Sequence, residues 1–320
     1  MKKRIFACIL VIFALTGVVF AEEDYIKWVD FDVGYPALKA ALDIDIASQD
    51  EEKVLSWIDI LALAATYKGG GNVSVRDVEH AAEALRGDRS PQELLSAQYK
   101  YFAYYQEAYR AVLGGLVGSY AIEKDGRWIP AYGLKAFSPI AAGYGYSHCD
   151  DFGNARTYGF ARRHLGHDLM GALGTPIVAV EGGTVEALGW NRYGGWRIGI
   201  RSDDRLRYYY YAHLQKDNPY VQGLSVGQHV NAGDVIGFMG RTGYSDKENV
   251  NNIQTVHLHF GIQLVFNESQ KECNSEIWID PYAIVQLLAS HRSTVCKKDG
   301  KWERVYPYED LDRIKSTAAH

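Results

Sequence analysis

Residues 256–265 read VHLHFGIQLV, an apolar alternation that carries two histidines. Side chains two apart on a β-strand project to the same face, so a strand here would place His257 and His259 side by side. Five further β-type runs precede this one, at 176–180, 183–190, 196–201, 206–213 and 235–240. Short runs at this spacing, broken by glycine, predict an antiparallel, sheet-based domain.

Two shorter patterns complete the β-rich half of the chain. Residues 226–237 predict two short strands around a tight glycine turn. Asp280 and Pro281 offer a cap and a first-turn proline for a closing helix that runs through Leu288.

The chain before this half, from Glu22 to about Tyr120, has a helical period of apolar residues. Three helix starts are marked by capping residues, at Ser48, Ser74 and Ser90, and the matching ends lie at the glycines 69–71, Gly87 and Gly114. We therefore expect an α+β fold, in which a small helical bundle precedes a mainly antiparallel β domain.

A series of tyrosines lies on the third predicted helix. The series is Tyr99, Tyr101, Tyr104, Tyr105 and Tyr109. These rings could form an aromatic face that binds sugars, but we favour partial filling of the bundle core, with the hydroxyls at its rim.

The bulk composition limits the classes of protein. The chain has 320 residues, of which 47% are hydrophobic and 23% charged, as in ordinary soluble globular proteins. The formal net charge of -5 includes no extended basic field, so we expect no nucleic-acid partner. Oligomeric state is not determined by these features.

The first residues predict an export signal. Lys2, Lys3 and Arg4 precede an apolar run over 5–20, and cleavage would follow Ala21. An uncleaved membrane anchor is the alternative, and either interpretation places the rest of the chain outside the cytoplasm. Cys8 belongs to this signal.

Three cysteines remain beyond the signal, Cys149, Cys273 and Cys296, and no C-x-x-C pair suggests a cysteine zinc site. An odd number permits at most one internal disulfide, and Cys273 with Cys296 is the pairing to test first.

Two clusters and one further histidine could supply a hydrolytic zinc site, which typically has three protein ligands and one open position. Besides the pair on the strand at 256–265, His164 and Asp168 are four apart, and on an extended segment they would share a face. His213 ends the β run at 206–213. Each cluster alone is a weak signal, because a histidine pair on a strand is more often solvated or hydrogen-bonded than metal-bound.

As an ordered set, these clusters resemble peptidase family M23, the lysostaphin-type or LytM-like endopeptidases, over about 162–264. The resemblance implies a β domain similar to the duplicated hybrid motif, one Zn²⁺ per chain, and hydrolysis of peptide cross-links in bacterial peptidoglycan. It implies His164, Asp168 and His259 as metal ligands. His213 and His257 would be catalytic residues beside the attacking water, with roles the sequence does not separate, and Tyr158 would help to stabilise the oxyanion.

Several features depart from the family pattern. Thr255 and Val256 replace the usual Gly-Pro before the histidine pair, and the loop 244–254 is longer, which puts substrate choice in doubt. His167 stands where the family has an aliphatic residue, and we expect its side chain to turn away from the metal. The remaining histidines are interpreted as structural or surface residues: His80, His148, His229, His291 and His320.

These patterns predict a domain organisation. We expect a signal peptide at 1–21, a helical domain at 22–120, a linker or hairpin at 121–135, an M23-like metallopeptidase domain at 136–290 and a C-terminal extension at 291–320. The helical domain would either cover the zinc cleft or dock a wall or protein partner. A non-catalytic wall-binding or regulatory module on the same fold is the alternative function, and export excludes a cytoplasmic phosphocarrier.

Overall fold

The computed structural model describes residues 25–157, 161–271 and 275–318. Its α-helices are α1 (Tyr35–Ser48), α2 (Trp57–Lys68), α3 (Val75–Arg86), α4 (Pro91–Leu95), α5 (Tyr99–Leu113), α6 (Tyr282–Leu288) and α7 (Leu311–Ala318). Short 3-10 turns lie at Ser96–Gln98 and Glu268–Gln270. The strands are β1 (Val117–Lys124), β2 (Arg127–Leu134), β3 (Tyr146–Cys149), β4 (Ala155–Thr157), β5 (Ala161–Arg163), β6 (His167–Gly171), β7 (Pro176–Val178), β8 (Gly183–Asn191), β9 (Gly195–Ser202), β10 (Arg207–Ala212), β11 (His229–Val230), β12 (Val235–Phe238), β13 (His257–Leu264), β14 (Ile277–Ile279), β15 (Val295–Lys298), β16 (Lys301–Arg304) and β17 (Tyr308–Asp310).

The fold is α+β, as predicted. Its centre is an eight-stranded sheet in the order β11-β8-β9-β10-β13-β6-β3, with β14 also paired to β13. Every strand pairing within this sheet is antiparallel. All six predicted β runs are strands whose ends lie within two residues of the prediction, because alternating apolar residues bury one face of each strand.

The tight turn predicted within 226–237 is only partly correct. Gly233 has a φ of +82° and turns the chain, but the two strands on either side of it do not pair with each other. Instead β11 extends the large sheet beside β8, whereas β12 pairs with β7. The chain therefore crosses between two sheets at this glycine.

The helix start predicted at Ser48 is wrong. Ser48 is the last residue of α1, where its buried hydroxyl contacts Asp45 O at 2.8 Å and Leu55 N at 2.9 Å. The next helix begins nine residues later, at Trp57, and it ends at Gly69, whose φ of +75° closes it as predicted. Ser48, with the acidic Glu51 three positions later, therefore lies at the end of α1 and does not start a helix.

The other two predicted helix caps are confirmed. Ser74 and Ser90 each form a capping box, with Asp77 and Glu93 respectively. The third helix is nevertheless not continuous, because Ser96 has a φ of +47° and a 3-10 turn separates α4 from α5. A positive φ at a non-glycine residue breaks the i to i+4 pattern, which the apolar spacing alone does not show.

The tyrosines of α5 fill the bundle core, as predicted. Tyr105 and Tyr109 are buried, and their rings lie 5.6 Å apart. Tyr104 reaches the rim, where its hydroxyl donates to Trp28 O at 3.2 Å. Tyr101 is 53% exposed, so the series does not form one continuous surface face.

A continuous hydrophobic core joins the helices to the sheet, with buried residues of both in one cluster. At the junction, the fully buried Arg207 of β10 donates to Arg110 O at 3.2 Å and to Ala111 O at 2.8 Å. Both carbonyls lie in the last turn of α5, where backbone acceptors run out of helical partners, although Arg110 O also accepts from Gly114 N at 2.9 Å. Glu181 balances the charge of Arg207 at 2.8 Å.

The end of the described chain folds back on the hairpin of β1 and β2. β17 adds to β1 with Ile122 opposite Tyr308. Tyr308 is buried, and its ring lies 5.8 Å from that of Phe137. The domain boundaries at 120, 135 and 290 stay proposals, but the hairpin that they bracket begins at Val117 and is bound to the C-terminal segment.

Some sequence predictions fall on residues outside the described ranges. They are the signal over 1–21 with Cys8, the predicted catalytic residue Tyr158, Cys273, and His320. Cys296, the other member of the pairing predicted with Cys273, is a free and exposed cysteine. Among the helices in the described ranges, none is long and apolar enough to cross a membrane.

Candidate metal centre

β13 presents the histidine pair on one face, as the alternation predicted. His257 and His259 are two residues apart on this strand, where they pair with Met170 and Asp168 of β6. His257 is only 7% exposed, and its Nδ1 lies 2.9 Å from the carbonyl oxygen of Thr255. Its Nε2 lies 3.8 Å from Oδ2 of Asp168, so this nitrogen faces the carboxylate.

His164 and Asp168 also meet, but not through one extended segment. Asp168 lies on β6, whereas His164 follows β5 and the chain bends at Gly166 before β6 begins. A Cβ at Gly166 would lie 2.6 Å from the ring of His259. Only a glycine lets the backbone pass this close to that imidazole.

Three donor atoms converge at this point. Nε2 of His164 lies 3.1 Å from Oδ1 of Asp168 and 2.9 Å from Nδ1 of His259, and the last two atoms are 3.0 Å apart. Tetrahedral zinc with Zn–N bonds of about 2.0–2.1 Å needs donors about 3.3 Å apart. The two imidazoles and one carboxylate therefore fit a zinc ion after an outward shift of a few tenths of an ångström.

The electrostatics of the trio favour a cation. Burial alone would raise the pKa of Asp168, but hydrogen bonds from His164 and His259 and the nearby histidine charges outweigh it, so this pKa lies well below its usual range. Burial lowers the pKa of His259, partly against the attraction of Asp168. An ionised carboxylate and a neutral imidazole are the protonation states that metal ligation requires.

Two further charged residues surround the trio. Oδ1 of Asp151 lies 2.7 Å from Nδ1 of His164, although the angle is not that of a good hydrogen bond. Arg156 contacts Oδ2 of Asp168 at 3.0 Å and also binds Asp151. Carboxylates behind metal-ligating histidines orient the ring and raise its basicity. Sequence reasoning missed both residues, and no spacing signal marks them, because they come from the loop before β4 and from β4 itself.

His213 lies opposite the trio, just beyond the end of β10. Its φ of +61° is rare for a residue with a side chain, and its amide donates to Gly194 O at 2.7 Å. The ring lies 4.7 Å from that of His257 and 5.9 Å from that of His259. Burial, helped by the neighbouring histidines, lowers the pKa of His213 well below its usual value.

The tautomers of His213 and His257 follow from their partners. Nδ1 of His213 lies 2.9 Å from Thr242 O, just as Nδ1 of His257 lies close to a carbonyl oxygen. A carbonyl oxygen only accepts hydrogen bonds, so Nδ1 of each ring carries the hydrogen. In the neutral rings Nε2 is therefore the basic nitrogen.

These residues line a pocket of about 160 Å³. The long loop 244–254 forms part of its wall through Tyr244 and Ile253. Asn249 holds this loop, since its Oδ1 accepts from Trp196 Nε1 at 2.9 Å and from Asp217 N at 3.0 Å. No residue of the helices α1 to α5 is among the described residues that line the pocket.

The other histidines lie apart from the trio. His167 alternates with Asp168 on β6, and its ring packs against His148, with 2.8 Å between Nε2 and Nδ1, and against Tyr282. Desolvation by burial lowers the pKa of His167 to about 4. His291 stacks on Phe137, while the other two contact surface partners, His80 with Tyr67 and His229 with Asp203.

The sequence around this site is similar to known proteins. Residues 162–273 match the model of peptidase family M23. The L-Ala–D-Glu endopeptidase of Bacillus subtilis (strain 168) is 41% identical over 130 residues, which are 41% of this chain and 38% of that protein. Lysostaphin of Staphylococcus simulans is 38% identical over 98 residues, 30% of this chain and 17% of that protein. The chain thus spans well under half the length of these relatives.

One solved structure is similar over most of the chain. It is a protein of Ruminococcus gnavus described as a candidate glycyl-glycine endopeptidase, with a TM-score of 0.53, 25% identity, and coverage of 82% of this chain and 91% of that one. The antiparallel β domain with its histidine and aspartate trio is therefore a fold with a candidate metal site. The chain belongs to peptidase family M23, through the segment 162–273.

Proposed function

We propose that this protein is an exported zinc metalloendopeptidase that hydrolyses peptide bonds in bacterial peptidoglycan. The observation that carries the proposal is the convergence of three donor atoms within 3.1 Å of one another, from the segment 164–168 and from β13, beside two further imidazoles. Relatives named as an L-Ala–D-Glu endopeptidase and as lysostaphin support the substrate class. Export rests on the residues before Glu22 and places the enzyme at the cell wall.

His164, Asp168 and His259 would hold the zinc ion through Nε2, Oδ1 and Nδ1. When bound, zinc supplies Lewis acidity toward a water molecule and toward the scissile carbonyl. The ionised Asp168 gives the site the negative charge that retains a dication, and Asp151 behind His164 adds to it. The fourth side of the trio faces the pocket, where a peptide can enter.

His213 and His257 would move the protons. Each ring holds its hydrogen on Nδ1 against a backbone carbonyl and offers a basic Nε2 to the pocket. One accepts the proton of the attacking water, and a proton then passes to the departing amine. The lowered pKa of His213 keeps this ring neutral at neutral pH and so able to accept. Tyr158 remains the proposed oxyanion partner, on the likeness to the family.

The test uses the full chain loaded with zinc and several wall chemotypes, with mass spectrometry of released peptides. We expect peptide release that a chelator abolishes and added zinc restores. His164→Ala, Asp168→Ala and His259→Ala should lower zinc content. His213→Ala and His257→Ala should retain most of the zinc and lose about 10²- to 10⁴-fold in turnover, because they carry protons and not metal.

His167→Ala is the matched control, since this histidine adjoins Asp168 but faces His148 and Tyr282. It should retain zinc and activity far better than the five variants above. A folded, zinc-loaded chain that binds walls and releases no peptide from any of them would replace this proposal with the non-catalytic wall-binding module.

A further inference from the structure

A second, larger cavity continues from the metal centre along one face of the sheet. It measures about 800 Å³, and it shares Arg162, Tyr210 and His259 with the smaller pocket. Its floor crosses β9, β10, β13 and β14. A peptide held at the metal ligands would therefore extend into this groove.

Two glycines shape the floor of the groove. A Cβ at Gly199 of β9 would lie 1.8 Å from the hydroxyl of Tyr208, and a Cβ at Gly261 of β13 would lie 2.7 Å from the ring of Trp278. The absence of side chains at both positions lets these aromatic rings lie close against the sheet. The groove is thus a built surface with aromatic sides, and not a gap left by loose packing.

The charges along the groove are mostly positive. Arg162, Arg163, Arg197 and Lys271 line it, and Glu276 is the one carboxylate among its described lining residues. Glu276 already accepts from Trp278 Nε1 at 2.8 Å. Lys271 pairs with Glu186, which leaves the three arginines as the source of net positive charge.

These arginines differ from several others in the described part of the β domain. Arg156, Arg201, Arg205 and Arg207 each pair with a carboxylate within 3.0 Å. Within the described ranges, no Asp or Glu lies within ion-pair distance of Arg162, Arg163 or Arg197. Arg162 instead donates a hydrogen bond to the hydroxyl of Tyr244. Nε of Arg162 and Nε of Arg197 are both buried without a hydrogen-bond partner.

An unbalanced guanidinium in a partly buried groove favours a planar anion. Arginine binds carboxylates through two parallel hydrogen bonds, which is stronger and more specific than binding a neutral carbonyl. On β9, Arg197 precedes Ile198, which pairs with Tyr211 of β10, so Arg197 lies beside Ala212 of β10. Ala212 in turn pairs with His259 of β13, so two strand spacings separate Arg197 from His259. Two strand spacings are about 10 Å, or about three residues of extended peptide.

We propose that this groove selects anionic peptides. Arg197 binds a free carboxylate within about three residues of the scissile bond, and Arg163 is a second cation at the edge of the groove. The inference rests on the proposed endopeptidase function and narrows its substrate class. The preferred substrate is then an acidic stem peptide and not an uncharged glycine bridge.

The experiment compares three probes on the full chain. They are a stem peptide with a γ-linked D-glutamyl residue whose α-carboxylate is free, the same peptide with that carboxylate amidated, and pentaglycine. Binding to the zinc-free chain is measured by calorimetry, and KM is measured on the zinc-loaded chain. We expect the acidic peptide to bind about 10- to 100-fold more tightly than its amide, in both measurements, because a charge-assisted hydrogen-bond pair is lost in the amide.

Arg197→Gln should reduce the acid-to-amide ratio of affinities about 10-fold or more, and Arg163→Gln should reduce it less, because Arg163 is exposed. Arg192→Gln is the matched control: this arginine lies on the same hairpin but pairs with Asp246 outside the groove, so the ratio should stay unchanged.

Equal affinity for acid and amide, or a ratio that neither variant changes, would overturn the inference and leave the endopeptidase function standing. A stronger preference for pentaglycine would do the same. If the zinc-loaded chain cleaved no probe while the zinc-free chain still bound the acidic peptide selectively, the groove assignment would hold and the proposed function would fail.

Discussion

At the scale of single residues, the arrangement of the candidate metal trio involves further charged groups that contact it. His164 points Nε2 at the trio and Nδ1 at Asp151, so one imidazole joins the two carboxylates Asp151 and Asp168. Arg156 contacts both carboxylates from the other side. The sequence pattern identifies His164 and Asp168 but not this outer pair, because the contacts of a loop residue depend on where the loop folds.

Asp151→Asn tests this support. An amide places no negative charge beside Nδ1 of His164, so we expect zinc affinity to fall about 10- to 100-fold, as for other carboxylates behind metal-bound histidines. The measurement is competition for zinc with a chelating dye. Asp150→Asn is the control, since this exposed neighbour makes no contact with His164 among the described residues. Equal zinc affinity in the two variants would remove Asp151 from the metal centre.

At the scale of elements, strand β17 shows how residues far apart in sequence complete a small sheet. β17 pairs with β1, and Lys135 at the end of the hairpin binds Asp310 at 2.8 Å. Tyr308 lies at the centre of this contact, and its hydroxyl donates to Lys135 O at 3.3 Å. A segment expected only as a C-terminal extension therefore contributes to the packing of the hairpin.

Tyr308→Ala should destabilise the protein by about 3 kcal/mol or more, since it removes a buried ring and leaves a cavity beside Phe137. Tyr306→Ala is a close control, because Tyr306 is 49% exposed and lies two residues away, and its effect should stay within about 0.5 kcal/mol. Urea unfolding of both variants gives the two free energies. Similar values for the two would mean that β17 adds little to the stability of the fold.

At the scale of the whole molecule, the helices and the metal centre lie at opposite ends of the same strand. Arg207, which binds the last turn of α5, begins β10, and His213 follows its last residue, about 20 Å away at 3.3 Å per residue. Gln270, beyond the far end of β13, likewise donates to Ile26 O at 2.8 Å. This placement favours docking of a wall or protein partner by the helical half over covering of the cleft.

Arg207→Ala tests whether the two halves fold as one unit. The change leaves Glu181 in a buried site without its cation and removes the donor to Ala111 O, at a cost of about 3–5 kcal/mol. Arg205→Ala removes a neighbouring arginine that is 60% exposed, at a cost of about 0–1 kcal/mol. We expect one cooperative thermal transition for both variants, at a lower temperature for Arg207→Ala, and unchanged zinc content in the folded protein. Two separate transitions would contradict a shared core.

The sequence by itself determined the local order of this protein, namely the strands around 176–265 and the caps at Ser74 and Ser90. It also marked His164, Asp168, His213, His257 and His259 as candidate site residues. Alternation and capping are properties of neighbouring residues, so they can be recognised in the chain. Only the tertiary structure decided that Ser48 ends a helix, that β17 returns to β1, and that Asp151 lies beside His164. It also placed Arg162, Arg163 and Arg197 along one groove. These outcomes depend on contacts between segments that are distant in the sequence. Such contacts leave no periodic signal, because the environment of each side chain is set by residues far along the chain and not by its sequence neighbours.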